Sequence, residues 1–112
     1  MAVLMHGQEL ATAAAHNLDI TIIISNNGTY GTIRMHQERD YPNRVSGTGL
    51  VNPDFAALAV AYGGIGVTVT KTEDFAAAFA KARAHKGIAL IELRTDPEAI
   101  AVGASLSDIR GT

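Results

Sequence analysis

Three short apolar runs decide what this chain can fold into. They are "DITIIIS" from Asp19 to Ser25, "IGVTVT" from Ile65 to Thr70, and "IALIEL" from Ile88 to Leu93. Each is short and rich in β-branched residues. Such runs suit strands whose two faces are both covered, as in parallel sheets. The stretches between them carry a different period. Phe55, Leu58, Ala59 and Tyr62 share one helical face, and Phe75, Ala78, Phe79 and Ala82 share another. A strand–helix alternation at this spacing predicts an α/β fold with a parallel sheet and right-handed crossovers.

Punctuation marks the elements. "GQELATAAAH" from Gly7 to His16 predicts an alanine-rich helix that stops at Asn17. Asn52-Pro53-Asp54 offers a helix N-cap, a proline at the first helical position and an acid in the first turn. Gly63-Gly64 ends that helix. Thr72-Glu73-Asp74 opens the next in the same way, and Gly87 stops it. After Tyr30 the pattern predicts a short helix, then a loop broken at Pro42. Val45 to Val51, "VSGTGLV", reads as glycine-punctuated loop, and the tail from Pro97 to Thr112 reads as irregular. Phe55, Phe75 and Phe79 are assigned to the core. The expected architecture is a partial doubly wound parallel sheet of about three strands with flanking helices. Three strands are few for that class, so residues 1–112 read as the later part of a larger domain.

Composition removes several functions. A net charge of −2 gives no electrostatic pull toward nucleic acid or an anionic membrane. The absence of cysteine excludes disulfides and thiolate zinc sites. No apolar run nears the roughly 18 residues of a membrane helix. The N-terminus lacks a basic region followed by an apolar block. The expectation is a cytoplasmic chain. His6, His16, His36 and His85 are scattered, with no pair at metal-ligand spacing, and Arg34, Glu38, Arg39 and Asp40 read as a solvated, salt-bridged face.

The first strand ends in "SNNGTYG", from Ser25 to Gly31. In open α/β sheets ligands sit beyond the carboxyl ends of strands. Asparagine amides are neutral oxygen ligands of the kind magnesium accepts. Gly28 and Gly31 let a ligand approach the backbone, and a helix starting at Tyr30 or Gly31 would aim free N–H groups at a phosphate. The other reading is a turn, with Asn-Gly as its signal and Asn26 satisfying backbone groups. The residues that follow do not alternate as a returning strand would.

The order of segments is more specific. The "GQELATA" helix, the apolar strand with "NNGTYG", the "RMHQE" segment and the "NPDFAALAVAYGG" helix follow one another here. From about Ala2 to about Ile100 the chain resembles the cofactor-binding domain of thiamine-diphosphate enzymes of the acetolactate synthase-like group. In that family a Gly-Asp-Gly motif precedes the asparagine pair by a little under thirty residues. Its aspartate would fall just before Met1, so the chain reads as truncated just after the motif, as the C-terminal part of a thiamine-diphosphate-binding (pyrophosphate) domain.

The resemblance implies magnesium held by the Asn27 side chain and the Thr29 backbone carbonyl. It implies thiamine diphosphate lying beside Asn26, Asn27, Gly28, Thr29, Tyr30, Gly31 and Ile33. Ile33 matches a position near the reacting centre, and an isoleucine transfers no proton. His36 falls in a segment that lines the family's substrate channel. No catalytic residue is assigned, because the family's activating glutamate belongs to another domain. The implied parent acts on a small-molecule 2-oxo acid by carboligation or decarboxylation. The chain alone is expected to be inactive, to bind the magnesium–cofactor pair weakly or not at all, and to form a homo-oligomer. The alternative from another class is a non-catalytic, self-associating α/β module.

Overall fold

The computed structural model describes residues 2–111 and forms two units. Among these, one comprises residues 2–25 and 53–94, the other residues 26–52 and 95–111. The first holds a three-stranded parallel sheet. Its strands are β1 (Ile20–Asn26), β2 (Ile65–Val69) and β3 (Ile88–Arg94), in the order β1-β3-β2. β2 and β3 pair in register from Ile65 opposite Ala89 to Val69 opposite Leu93.

β3 is the central strand, and its alternation explains why its sequence carries no polar stripe. Ala89, Ile91 and Leu93 pack with Val67, Val69, Ala78 and Ala82. Ala78 and Ala82 lie on α5 (Phe75–Ala84). Leu90 packs on the other face with Ile24, Phe55 and Ala59, the last two from α4 (Phe55–Ala61). Ile88 meets Leu10 and Ala13 of α2 (Leu10–Ala15), which follows α1 (Ala2–His6) and a 3-10 turn over Gly7–Glu9. Helices cover both faces of β3, as its unbroken apolar run requires.

The helix entrances depart from the sequence reading. Thr72–Asp74 form a 3-10 turn ahead of α5, with no side-chain cap at either start. Asp54, not Asn52, is the N-cap of α4, and its Oδ1 accepts the Ala57 N–H at 2.9 Å. Asn52 is thereby free of that duty. Phe79 is assigned to the core by its spacing but is 39% exposed, stacked on Phe75 with centroids 5.7 Å apart.

The second unit holds α3 (Gly31–Asp40), the antiparallel pair β4 (Ala99–Ala101) and β5 (Ala104–Ser105), and α6 (Leu106–Arg110). The tail is therefore structured, against expectation. Ser105 and Asp108 form a reciprocal capping box, and Gly111 closes α6 in the left-handed region at φ 79°. Leu106 is fully buried.

Glu38 corrects the solvated-face reading. It is 1% exposed, and Arg110 grips it with two bonds of 2.8 Å. The Asn43 N–H adds a third at 3.1 Å, and Arg34 lies 3.9 Å away. The Arg110 guanidinium, then the Asn43 N–H, hold the Glu38 carboxyl below its ordinary range, against the opposing effect of burial. Arg39 and Asp40 do form an exposed pair, at 2.8 Å.

Candidate cofactor loop

The segment after β1 is held by a short antiparallel ladder. The Tyr30 N–H donates to the Thr48 carbonyl at 2.9 Å, and the Leu50 N–H donates to the Gly28 carbonyl at 2.9 Å. Thr29 stands opposite Gly49 between these bonds. Thr29 Oγ1 adds a bond to the Thr48 carbonyl at 2.7 Å. One step further out, Asn52 Nδ2 donates to Asn26 Oδ1 at 2.7 Å. Residues 48–52 are thus a strap paired with residues 26–30, rather than the free loop expected from their glycines. Gln37 of α3 ties the strap down, its Nε2 donating to the Ser46 carbonyl at 2.8 Å and its Oε1 accepting from Thr48 Oγ1 at 3.2 Å.

Both asparagines form turns of their own. Asn26 Oδ1 accepts the Gly28 N–H at 3.0 Å, and Asn27 Oδ1 accepts the Thr29 N–H at 3.2 Å. Gly28 sits at φ 66°, where a side chain would strain the backbone. The turn reading and the ligand reading therefore describe the same residues. The N–H groups of Gly28, Thr29 and Tyr30 are all engaged within the loop, so only α3, beginning at Gly31, retains the first-turn N–H groups expected to face a phosphate.

The ladder fixes which way Thr29 points. A residue in a pair without mutual bonds turns its own N–H and C=O away from the partner strand. Asn27 Oδ1 holds the Thr29 N–H on that outer edge, and the Thr29 carbonyl lies on the same edge. The two oxygens singled out in the sequence are thus presented together, both neutral and both hard. That donor set fits magnesium as far as it goes, since the ion takes carbonyl oxygens alongside carboxylate and phosphate oxygens. Among the described residues no cluster of three or more His, Asp or Glu could hold a metal by itself.

Gly31 closes the loop on its inner side. A Cβ there would stand 3.0 Å from Asn27 Nδ2 and 3.0 Å from Ile100 Cδ1. Tyr30 precedes the helix as its N-cap without a side-chain bond, and Ile33 on the first turn is 54% exposed. Asn52 belongs to this site and was missed. Its place before Pro-Asp reads as a cap, and only the structure gives the cap to Asp54 and Asn52 to Asn26.

Residues 2–93 match the sequence model of the thiamine pyrophosphate enzyme C-terminal TPP-binding domain. The chain is 42% identical over 74 residues to the acetolactate synthase large subunit of Parasynechococcus marenigrum, covering 64% of this chain and 12% of that protein. It is 32% identical over 114 residues to the acetolactate synthase of Arthrospira platensis, covering 96% of this chain and 20% of that protein. It is 40% identical over 84 residues to the acetolactate synthase large subunit of Corynebacterium glutamicum, covering 70% and 13%. The chain thus spans at most a fifth of the length of these relatives.

Proposed function

Since the chain belongs to the family of C-terminal thiamine-pyrophosphate-binding domains, we propose that residues 1–112 serve as the later part of such a domain in a magnesium-dependent enzyme acting on 2-oxo acids. Asn27 Oδ1 and the Thr29 carbonyl hold the metal, which ties the cofactor diphosphate to the protein. Gly28, Tyr30 and Gly31 lie against the cofactor. Ile33 gives it an apolar neighbour that transfers no proton. The bound cofactor supplies the carbanion chemistry, while this chain's groups bind and orient it. The reaction we favour is acetolactate synthase-like carboligation or decarboxylation.

The observation that carries this reading is the shared outer edge of Asn27 Oδ1 and Thr29. Two neutral oxygens hold a hard cation poorly without a carboxylate, so affinity in the chain alone is low. The test is a titration of 15N-labelled protein with millimolar thiamine diphosphate, with and without magnesium. The amide signals of Gly28, Thr29 and Gly31 should move only when both are present, and Asn27→Ala should abolish the movement. Shifts confined to other segments, or none at all, would remove the reading.

A further inference from the structure

We infer that Asn52 is a positioning residue for the metal-binding loop, an assignment that rests on the cofactor reading above. Three observations converge on it. Its Nδ2 makes the 2.7 Å bond to Asn26 Oδ1, on the same oxygen that accepts the Gly28 N–H. That bond closes the ladder whose inner rungs are Tyr30 with Thr48 and Leu50 with Gly28. And Asn52 Oδ1 is buried without a hydrogen-bond partner.

The first two make Asn52 the end stop of the strap. Without it Asn26 Oδ1 loses one of its two donors and the turn at Gly28 loses a support, which loosens the segment that carries the neighbouring Asn27. The third shows an amide kept in place by its nitrogen alone. A buried acceptor left unpaired costs free energy, and native proteins keep few of them, so the bond that Asn52 Nδ2 makes to Asn26 is what offsets the burial of this amide. Groups that support a metal-binding loop without touching the ion set ligand orientation.

The experiment uses manganese, which shares magnesium's preference for oxygen ligands and broadens nearby NMR signals even when binding is weak. In the wild-type chain with thiamine diphosphate, trace manganese should broaden Gly28, Thr29 and the Asn27 side-chain amide. In Asn52→Leu the apparent manganese affinity should fall about tenfold, with the Gly28 amide displaced and the signals of β2 and α5 unmoved. If Asn52→Leu does not fold, Asn52→Ala is read in the same way. Unchanged broadening in the folded variant overturns the assignment. If Asn27→Ala abolishes broadening while the Asn52 variant keeps it, only this inference fails. If the wild-type loop shows no broadening, the cofactor reading fails and takes the inference with it.

Discussion

Gly31 is where the loop leaves least room. A methyl group there would press the Asn27 amide and the tip of Ile100, both at 3.0 Å. Ile100 can yield by rotating its terminal methyl, and alanine is worth up to about 1 kcal/mol over glycine in a helix. Gly31→Ala should therefore leave stability within about 1 kcal/mol of wild type while shifting the Asn27 side-chain signals, as urea unfolding and 15N spectra would show. A large loss of stability with Asn27 unmoved would contradict this. At this scale the sequence was informative about residue type and poor about partners. The asparagine pair singled out the loop because amides at a strand's end have few purposes. Asn52 was invisible because its partner lies 26 positions away, and its local setting imitates a helix cap. Glu38 misled for a related reason. Crowded charges usually face water, and nothing local announces that Arg110, 72 residues on, will bury this one.

At the scale of elements, two contacts make opposite demands on sequence. Gly66 must be bare, because a Cβ on it would run into the Ala56 backbone of α4. Backbone cannot step aside as a side chain can, so Gly66→Ala should cost about 3 kcal/mol, read as a lower urea midpoint at unchanged slope. α6 relies instead on charge. Five residues give too little periodicity to reveal a helix, so the tail read as irregular, although Ser105 and Asp108 already stood at capping-box spacing. Its Arg110 holds Glu38, whose carboxyl titrates below its ordinary value of 4.5. A carboxyl lowered in the folded state adds stability that is present above the unfolded pKa and disappears as pH falls through the folded one. Asp108, lowered by Ser105, adds to the same trend. The methyl signals of Leu106 and Ile109 should therefore move toward disordered positions as pH drops below about 4.5, and Arg110→Gln should produce much of that change at neutral pH. Signals that stay constant from pH 7 to 3 would show that the pair does not hold α6.

For the whole molecule the strand order is decisive, and the alternation of runs and helices predicted its parallel class but not its sequence. β1 lies at one side of the described sheet, with β3 as its only neighbour there. Ile20, Ile22 and Ile24 pack against helices and β3. Ile23, on the opposite face, is 46% exposed. An outer strand with apolar side chains toward both faces carries little to deter another chain from adding to the sheet. Among the described residues no helix is long and apolar enough to cross a membrane. A second copy would supply the same strand and the same side chains, and pairing of the two would satisfy both edges in a closed arrangement. Light scattering at micromolar concentration should therefore give a mass that is a multiple of 11.7 kDa. Ile23→Lys should shift it to the monomer, since a charge on an edge strand opposes pairing, while circular dichroism stays unchanged. A wild-type monomer would mean that this edge does not recruit a second copy. An oligomer untouched by Ile23→Lys would place the interface elsewhere, with exposed Val60 of α4 the next position to charge.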